Sequence, residues 1–325
     1  MSEPSCVRAV MEEMLSVVET VVIGQHEAAR YLAGAFLLGR HVLLEGPPGV
    51  GKTMLAKTFA HVVDMRFSRI QFTPDLMPGD ITGVSVFDRT SGEFRFIEGA
   101  LFADVVLADE VNRTPPKTQA ALLEAMEERS VTVDGAKRPL GEWFFVVATR
   151  NPIEHEGTFP LPEAQLDRFM FEVVMGYPPR EVEEQLVQER SSQILVAGNR
   201  IVCDRPPVSR ERLDLARKAI IAVVISPTLM HYVLDIVAAT REHPDILLGA
   251  STRAALHLAL ATKMNAAWEG RSYAIPDDVR AVLQVTLAHR IFLRPESFDR
   301  RGGVPELVRQ IGNAIPAPET LQEAQ

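Results

Sequence analysis

Gly46-Pro47-Pro48-Gly49-Val50-Gly51-Lys52-Thr53 brings glycines, a lysine and a hydroxyl together in one short stretch. A glycine, four residues and then Gly-Lys-Thr is the spacing of a phosphate-binding loop. The glycines let the backbone curl and approach phosphate oxygens closely. A helix starting at the end of such a loop adds unpaired N–H groups and a partial positive charge. Lys52 can then reach the β- and γ-phosphates of a nucleotide, and the Thr53 hydroxyl can meet a magnesium ion. The flanks suit this chemistry. His41 to Glu45 reads as a short buried strand, and Met54 to Ala60 as the helix. The residues expected to hold a nucleotide run from Gly46 to Met54 without a break.

A second group of candidates lies further along the chain. Asp104-Val105-Val106-Leu107-Ala108-Asp109-Glu110 is an apolar strand ending in two carboxylates. Ligands of parallel sheets bind where strands end in this way. Asp109 suits a magnesium ion, held directly or through water, and Glu110 suits a water attacking the γ-phosphate. The plain alternative is a strand that ends in solvent. Asn151 comes after another apolar strand, Trp143 to Thr149, and is either a γ-phosphate or water contact or part of an Asn-Pro turn. Arg168 enters a further strand. It is either an ordinary ion-paired arginine or a planar fork directed at a neighbouring subunit's nucleotide. Arg253 falls in the first turn of a helix, where positive charge opposes the dipole. That mismatch points to an anionic partner or to a nearby Asp or Glu. Val21-Val22-Ile23-Gly24-Gln25 is an apolar patch that either receives an adenine ring or packs a helix end.

The elements that must position these residues alternate between strand and helix. A helix is expected over about Ser5 to Glu19, from Val7, Val10, Met11, Met14 and Val18. Strands are expected at Ser68–Thr73 and Met170–Met175, besides those already named. Two hairpins interrupt the alternation. One pairs Gly83–Phe87 with Glu93–Ile97, and the other starts at Ser130 and returns through Lys137 to Leu140. Thr114 is expected to cap a helix reaching Glu128, and Arg180 to Arg190 to form another. From Ser209 onward the patterning is helical throughout. Ser209, Ser226-Pro227, Ser251 and Pro276 open four helices that make a small bundle. The expected architecture is α/β, a P-loop core with a five-stranded parallel sheet and hairpin inserts, followed by a small all-α lid. The expected domains are 1–191, with inserts at about 82–100 and 130–140, a linker at 192–207 and a lid at 208–325.

Bulk properties fit a globular protein of 325 residues, with 46% hydrophobic and 24% charged positions. A net charge of −9 argues against a strongly basic nucleic-acid binder. Cys6 and Cys203 give neither a disulfide framework nor zinc spacing, which suits a reducing cytoplasm. No signal peptide is apparent at Met1-Ser2-Glu3-Pro4, and no apolar run is long enough to span a bilayer.

With the phosphate loop, Asp109-Glu110, Asn151, Arg168 and Arg253 in this order, the chain resembles the MoxR family of AAA+ ATPases over nearly its whole length. The most specific stretches are LADEVNRTPPKTQAALLEAMEE and EGTFPLPEAQLDRF. The resemblance implies Lys52 and Thr53 as Walker A and Asp109 and Glu110 as Walker B. It makes Asn151 sensor 1, Arg168 the arginine finger and Arg253 sensor 2, with Val22 and Ile23 lining the adenine site. It implies Mg-dependent ATP hydrolysis in a cytoplasmic homo-oligomeric ring, most often a hexamer. It also implies a chaperone-like role in remodelling or maturing protein complexes, with clients that often carry a von Willebrand factor A domain. The alternative is a nucleic-acid motor of related fold, which the mixed charge of the hairpins does not support. Two positions depart from the family pattern: Arg150 stands where Gln usually precedes the sensor 1 Asn, and Thr252 where Pro commonly precedes the sensor 2 Arg. Arg150 and Arg113 are further candidates for the role in trans.

Overall fold

The computed structural model describes residues 3–152, 159–184, 187–188, 207–298 and 302–318. Five strands form the main sheet: β1 (His41–Glu45), β2 (Phe67–Gln71), β5 (Val105–Asp109), β8 (Phe145–Arg150) and β9 (Phe169–Val174), in the spatial order β2-β5-β8-β1-β9. The β2–β5, β5–β8 and β1–β8 pairings are parallel. All of β5 is buried, as expected of a strand covered on both faces. The register sets the chemistry. Gln71 lies opposite Asp109, and Glu45 opposite Arg150, so the polar strand ends share one edge of the sheet.

Helices α1 (Glu3–Val21), α2 (His26–Leu37), α3 (Lys52–Val62), the short α4 (Pro78–Thr82) and α5 (Pro116–Glu128) accompany the sheet. Apolar positions of α1 recur at three and four, and Val7, Val10, Met11 and Met14 are buried. Phe36 of α2 packs against Phe59 of α3, Phe145 of β8 and Trp143, with ring centroids 5.3, 5.5 and 5.0 Å away. His41 fastens β1 to its neighbours. Its Nδ1 accepts from the Val146 N–H at 3.0 Å, which puts the ring proton on Nε2, and Nε2 donates to the Met126 carbonyl at 3.1 Å. Burial is the main reason its pKa falls from 6.5 to about 4.

Two antiparallel hairpins leave this scaffold: β3 (Gly83–Asp88) with β4 (Glu93–Glu98), and β6 (Ser130–Val133) with β7 (Ala136–Pro139). The second closes through Asp134-Gly135, both with positive φ, which is the turn that matches strand twist. Thr114 does not cap α5. The N-cap is Pro115, whose extended backbone leads into Pro116 at the first helical position, while Thr114 itself is buried.

The short α6 (Glu163–Leu166) precedes β9. Among the described residues from 207 onward there are five longer helices: α7 (Arg210–Ala222), α8 (Pro227–Glu242), α9 (Thr252–Trp268), α10 (Pro276–Leu287) and α11 (Gly303–Ala314). Ser226 and Ser251 cap α8 and α9, accepting from Leu229 N at 3.1 Å and Ala254 N at 3.0 Å. The expected all-α bundle of four helices is thus extended by α11 and by a small ribbon, β10 (Ile246–Leu248) with β11 (Phe292–Leu293). The expected helix over Arg180 to Arg190 is helical at 180–184 and 187–188, and the rest of it lies outside the described residues. So does the expected linker, apart from Pro207.

By contacts the chain divides into two compact units. One comprises residues 13–161 and 173–210, and the other 1–12, 162–172 and 211–325. No helix among the described residues is long and apolar enough to cross a membrane.

Candidate active site

The loop from Gly46 to Gly51 joins β1 to α3, giving the strand, turn and helix start that phosphate binding needs. Gly46 sits where no side chain fits: a Cβ there would lie 2.2 Å from the Met175 carbonyl oxygen. Gly51 is the N-cap of α3 at φ +96°, a left-handed conformation that favours glycine. Lys52 folds back over the loop, donating to the carbonyls of Gly46 and Pro47. Val22 is buried beside this turn. A methyl on Gly51 would lie 3.5 Å from Val22 Cγ1. Gly24 packs against Val182 and Pro178, and Gln25 Nε2 donates to the Gly176 carbonyl at 3.1 Å. The patch over 21–25 therefore ends α1 and also flanks the phosphate loop. Ile23 in it is half-buried.

Asp109 is buried, with both carboxylate oxygens engaged. Thr149 Oγ1 donates to Oδ1 at 2.6 Å. Arg69 donates to Oδ2 through Nε at 3.1 Å and Nη2 at 2.7 Å. The Thr53 hydroxyl stands 3.5 Å from the same Oδ2, so the hydroxyl after the loop lysine and the strand-end carboxylate converge. Glu110 leaves the strand at φ 57°, ψ 49°, left-handed backbone in a non-glycine residue. Such a conformation costs of order 1 kcal/mol or more and clusters at functional sites. Its N–H donates to Thr149 Oγ1 at 2.9 Å, so this one hydroxyl ties both acidic residues to β8. Its Oε2 accepts from Gln71 Nε2 at 2.8 Å and from Arg113 Nη1 at 3.1 Å.

Asn151 is buried just past β8. Arg150 before it is paired with Glu45 at the end of β1, donating through Nε at 2.5 Å. Arg113 is held by the Glu110 carboxylate. Both further arginine candidates thus have carboxylate partners within the same unit. Arg69, Gln71 and Thr149 contribute to the site although motif spacing does not single them out. The signal for the first two was the period-two placement of Arg69 and Gln71 on β2, which puts both on one face of the strand.

Arg168 and Arg253 belong to the other unit and are described there. Arg168 is half-buried between α6 and β9. Arg253 lies in the first turn of α9, and the Asp167 carboxylate comes to the same helix start, accepting from Ser251 Oγ at 2.8 Å. A carboxylate of this chain therefore stands at the helix end where the sequence left an anion or a nearby acid as alternatives.

The arrangement around the loop suits a magnesium–nucleotide complex. Thr53 and Asp109 supply hard oxygen donors, and magnesium commonly takes one or two such protein ligands together with phosphates and water. Among the described residues, no group of three or more His, Cys, Asp or Glu could hold a metal by itself.

Comparison with known proteins shows the family to which the chain belongs. Residues 41–171 match the model of the ATPase family associated with various cellular activities (AAA), and residues 238–311 match the AAA lid domain. The chain is 43% identical to the uncharacterized protein YeaC of Bacillus subtilis, over 93% of this chain and 92% of that one. It is 40% identical to the chaperone MoxR1 of Mycobacterium tuberculosis, over 95% and 82%. It is 33% identical to the protein MoxR of Methylorubrum extorquens, over 91% and 92%. A crystal structure of a candidate ATPase from Cytophaga hutchinsonii superposes with a TM-score of 0.88 at 36% identity, covering 98% of this chain and 97% of that one.

Proposed function

Since the chain belongs to the MoxR family of AAA+ ATPases, we propose that it hydrolyses ATP between subunits of a ring and spends the energy on remodelling or maturing a protein complex. The observation that carries the ATPase reading is the approach of the Thr53 hydroxyl, next to the loop lysine, to Asp109 at the sheet edge, with Thr149 fixing both Asp109 and Glu110. In this reading Lys52 and the N–H groups at the start of α3 bind the β- and γ-phosphates. Val22 and Ile23 lie against the adenine. Thr53 and Asp109 hold magnesium, Asp109 directly or through water. Bound there, the ion neutralises charge on the phosphate oxygens. Glu110 takes the proton of the attacking water, its carboxylate held by Gln71 and Arg113, and Asn151 orients that water.

Arg168 of a neighbouring subunit stabilises charge on the transferring phosphoryl group, and Arg253 reports nucleotide state to the lid. The proposed functional division is 1–191 for the nucleotide-binding domain, 192–207 for the linker and 208–325 for the lid. The chaperone part of the proposal leans on the name carried by the Mycobacterium tuberculosis relative. We further propose a homo-oligomer, hexameric in the simplest form, acting in the cytoplasm on a protein client, of which one bearing a von Willebrand factor A domain is the type the family resemblance suggests.

Glu110→Gln in the full chain tests this reading. Loss of the base lowers the hydrolysis rate by about 10² or more while ATP affinity changes by less than about threefold. The variant, held in ATP, retains a client protein that wild type releases. Hydrolysis at the wild-type rate by Glu110→Gln would remove the proposed base and the mechanism with it.

A further inference from the structure

Arg290 is one of the most deeply buried charged residues described, at 3% exposure, and it lies on the turn after α10. Its donors converge on one short strip of chain. Nη2 donates to the carbonyls of Asp167, at 3.2 Å, and of Phe169, the residues on either side of Arg168. Nε lies 3.1 Å from Asp167 Oδ1, near enough for charge pairing though not aligned as a hydrogen bond. Nη1 donates to the Thr286 carbonyl at 3.0 Å, and Nη2 also to His257 Nδ1 at 2.5 Å, which fix the guanidinium to α10 and α9. His289 Nε2 adds a second donor to the Phe169 carbonyl at 3.0 Å, and Ser251 Oγ donates to Asp167 Oδ2 at 2.8 Å. All these groups belong to one compact unit.

Burying a guanidinium is costly unless it is paired and hydrogen-bonded. Burial, partly offset by Asp167, lowers its pKa to about 10, so it stays charged at neutral pH. A long apolar side chain would fill the same space at lower cost. What it could not do is fix two carbonyls that bracket a single residue. Groups that orient a reacting side chain commonly do so through such outer contacts, and a misplacement of 1 Å can cost about 10² in rate.

We infer that Arg290 is the positioning residue for Arg168, locking the Asp167–Phe169 strip to the helical unit so that the Arg168 fork is presented in a fixed pose. This rests on the reading of Arg168 as acting on a neighbour's nucleotide. It adds that the helical unit, rather than the sheet alone, sets the aim of that arginine.

The test is complementation between full-length subunits, with hydrolysis measured in mixed rings. Arg290→Met alone lowers kcat about tenfold or more, with KM for ATP changed less than about threefold. Arg290→Lys, which keeps the charge but loses the fork, falls between Met and wild type. Mixed with Lys52→Ala, whose Arg168 is intact, Arg290→Met subunits regain hydrolysis. Mixed with Arg168→Ala, they do not. The reverse pattern, recovery with Arg168→Ala and none with Lys52→Ala, places the defect in the subunit's own nucleotide site and overturns the inference. Recovery with neither partner makes Arg290 a general stabiliser and also overturns it. If Arg290→Met does not fold, Arg290→Lys is mixed in its place, and a wild-type kcat for Arg290→Lys sinks the inference. The Lys52→Ala with Arg168→Ala mixture separates the two claims. Recovery there with a wrong pattern for Arg290 rejects the positioning role alone, whereas no recovery there rejects the underlying reading of Arg168.

Discussion

A methyl group added at position 46 has nowhere to go, because the atom it meets is the Met175 carbonyl oxygen of the neighbouring backbone. Either the loop or that backbone must shift. Gly46→Ala is therefore expected to weaken ATP binding by more than about tenfold and to lower stability by about 1–3 kcal/mol, the usual range for overpacking. Calorimetric titration with ATP and a thermal melt check this, and wild-type affinity with an unchanged melt would show that the approach is not tight. Motif residues like this one are legible in sequence because their chemistry is local: Lys52 and Thr53 are placed by the loop that contains them. Asp109 and Glu110 are legible because an apolar strand delivers the polar residues at its end to the sheet edge. Arg69, Gln71 and Thr149 are different. Their role depends on the register of β2 and β8 against β5, which composition along a single strand does not specify. Arg290 is the extreme case, since the carbonyls it holds belong to residues more than a hundred positions earlier.

Individual elements also carry consequences of their own. The β1 strand is tied to β8 and to the end of α5 by a neutral His41 with both ring nitrogens used. In the unfolded chain this ring binds a proton near its ordinary 6.5, whereas in the fold it resists protonation until about 4. Above 6.5 both states are neutral and His41 adds no pH dependence. As pH falls from 6.5 to about 4 the unfolded chain takes up the proton first, so stability is lost. The loss reaches about 3 kcal/mol, from the change in affinity at about 1.4 kcal/mol per tenfold. Denaturant unfolding of wild type and His41→Gln at pH 7 and 4.5 reads this out: the variant starts less stable but loses less on acidification. Equal losses would assign the acid sensitivity elsewhere.

Helices with one apolar face, such as α8 and α10, are plain from periodicity and from their Ser or Pro starts. Helix α2 is not legible in the sequence, because nearly every residue from Ala28 to Leu37 is buried and no polar stripe marks it. Helix α11 is hidden because Gly302-Gly303, both with positive φ, lead into it and have the pattern of a turn in place of a capping side chain.

At the scale of the molecule, the proposed active site is assembled from two protomers. The loop, Asp109 and Glu110 form one half. The other half is Arg168, carried on a strip that groups with the helical unit. A charge-stabilising arginine supplied in trans is worth a rate factor of about 10³ to 10⁵ in related phosphoryl transfer, so each half alone should be nearly silent. The most direct measurement is ATP hydrolysis by Lys52→Ala subunits, by Arg168→Ala subunits, and by rings assembled from both. Each variant alone is predicted to be inactive, and the mixture to regain a fraction of wild-type activity at interfaces where an intact loop meets an intact Arg168. A mixture no more active than its components, or wild-type hydrolysis by protein held strictly monomeric, would contradict the account.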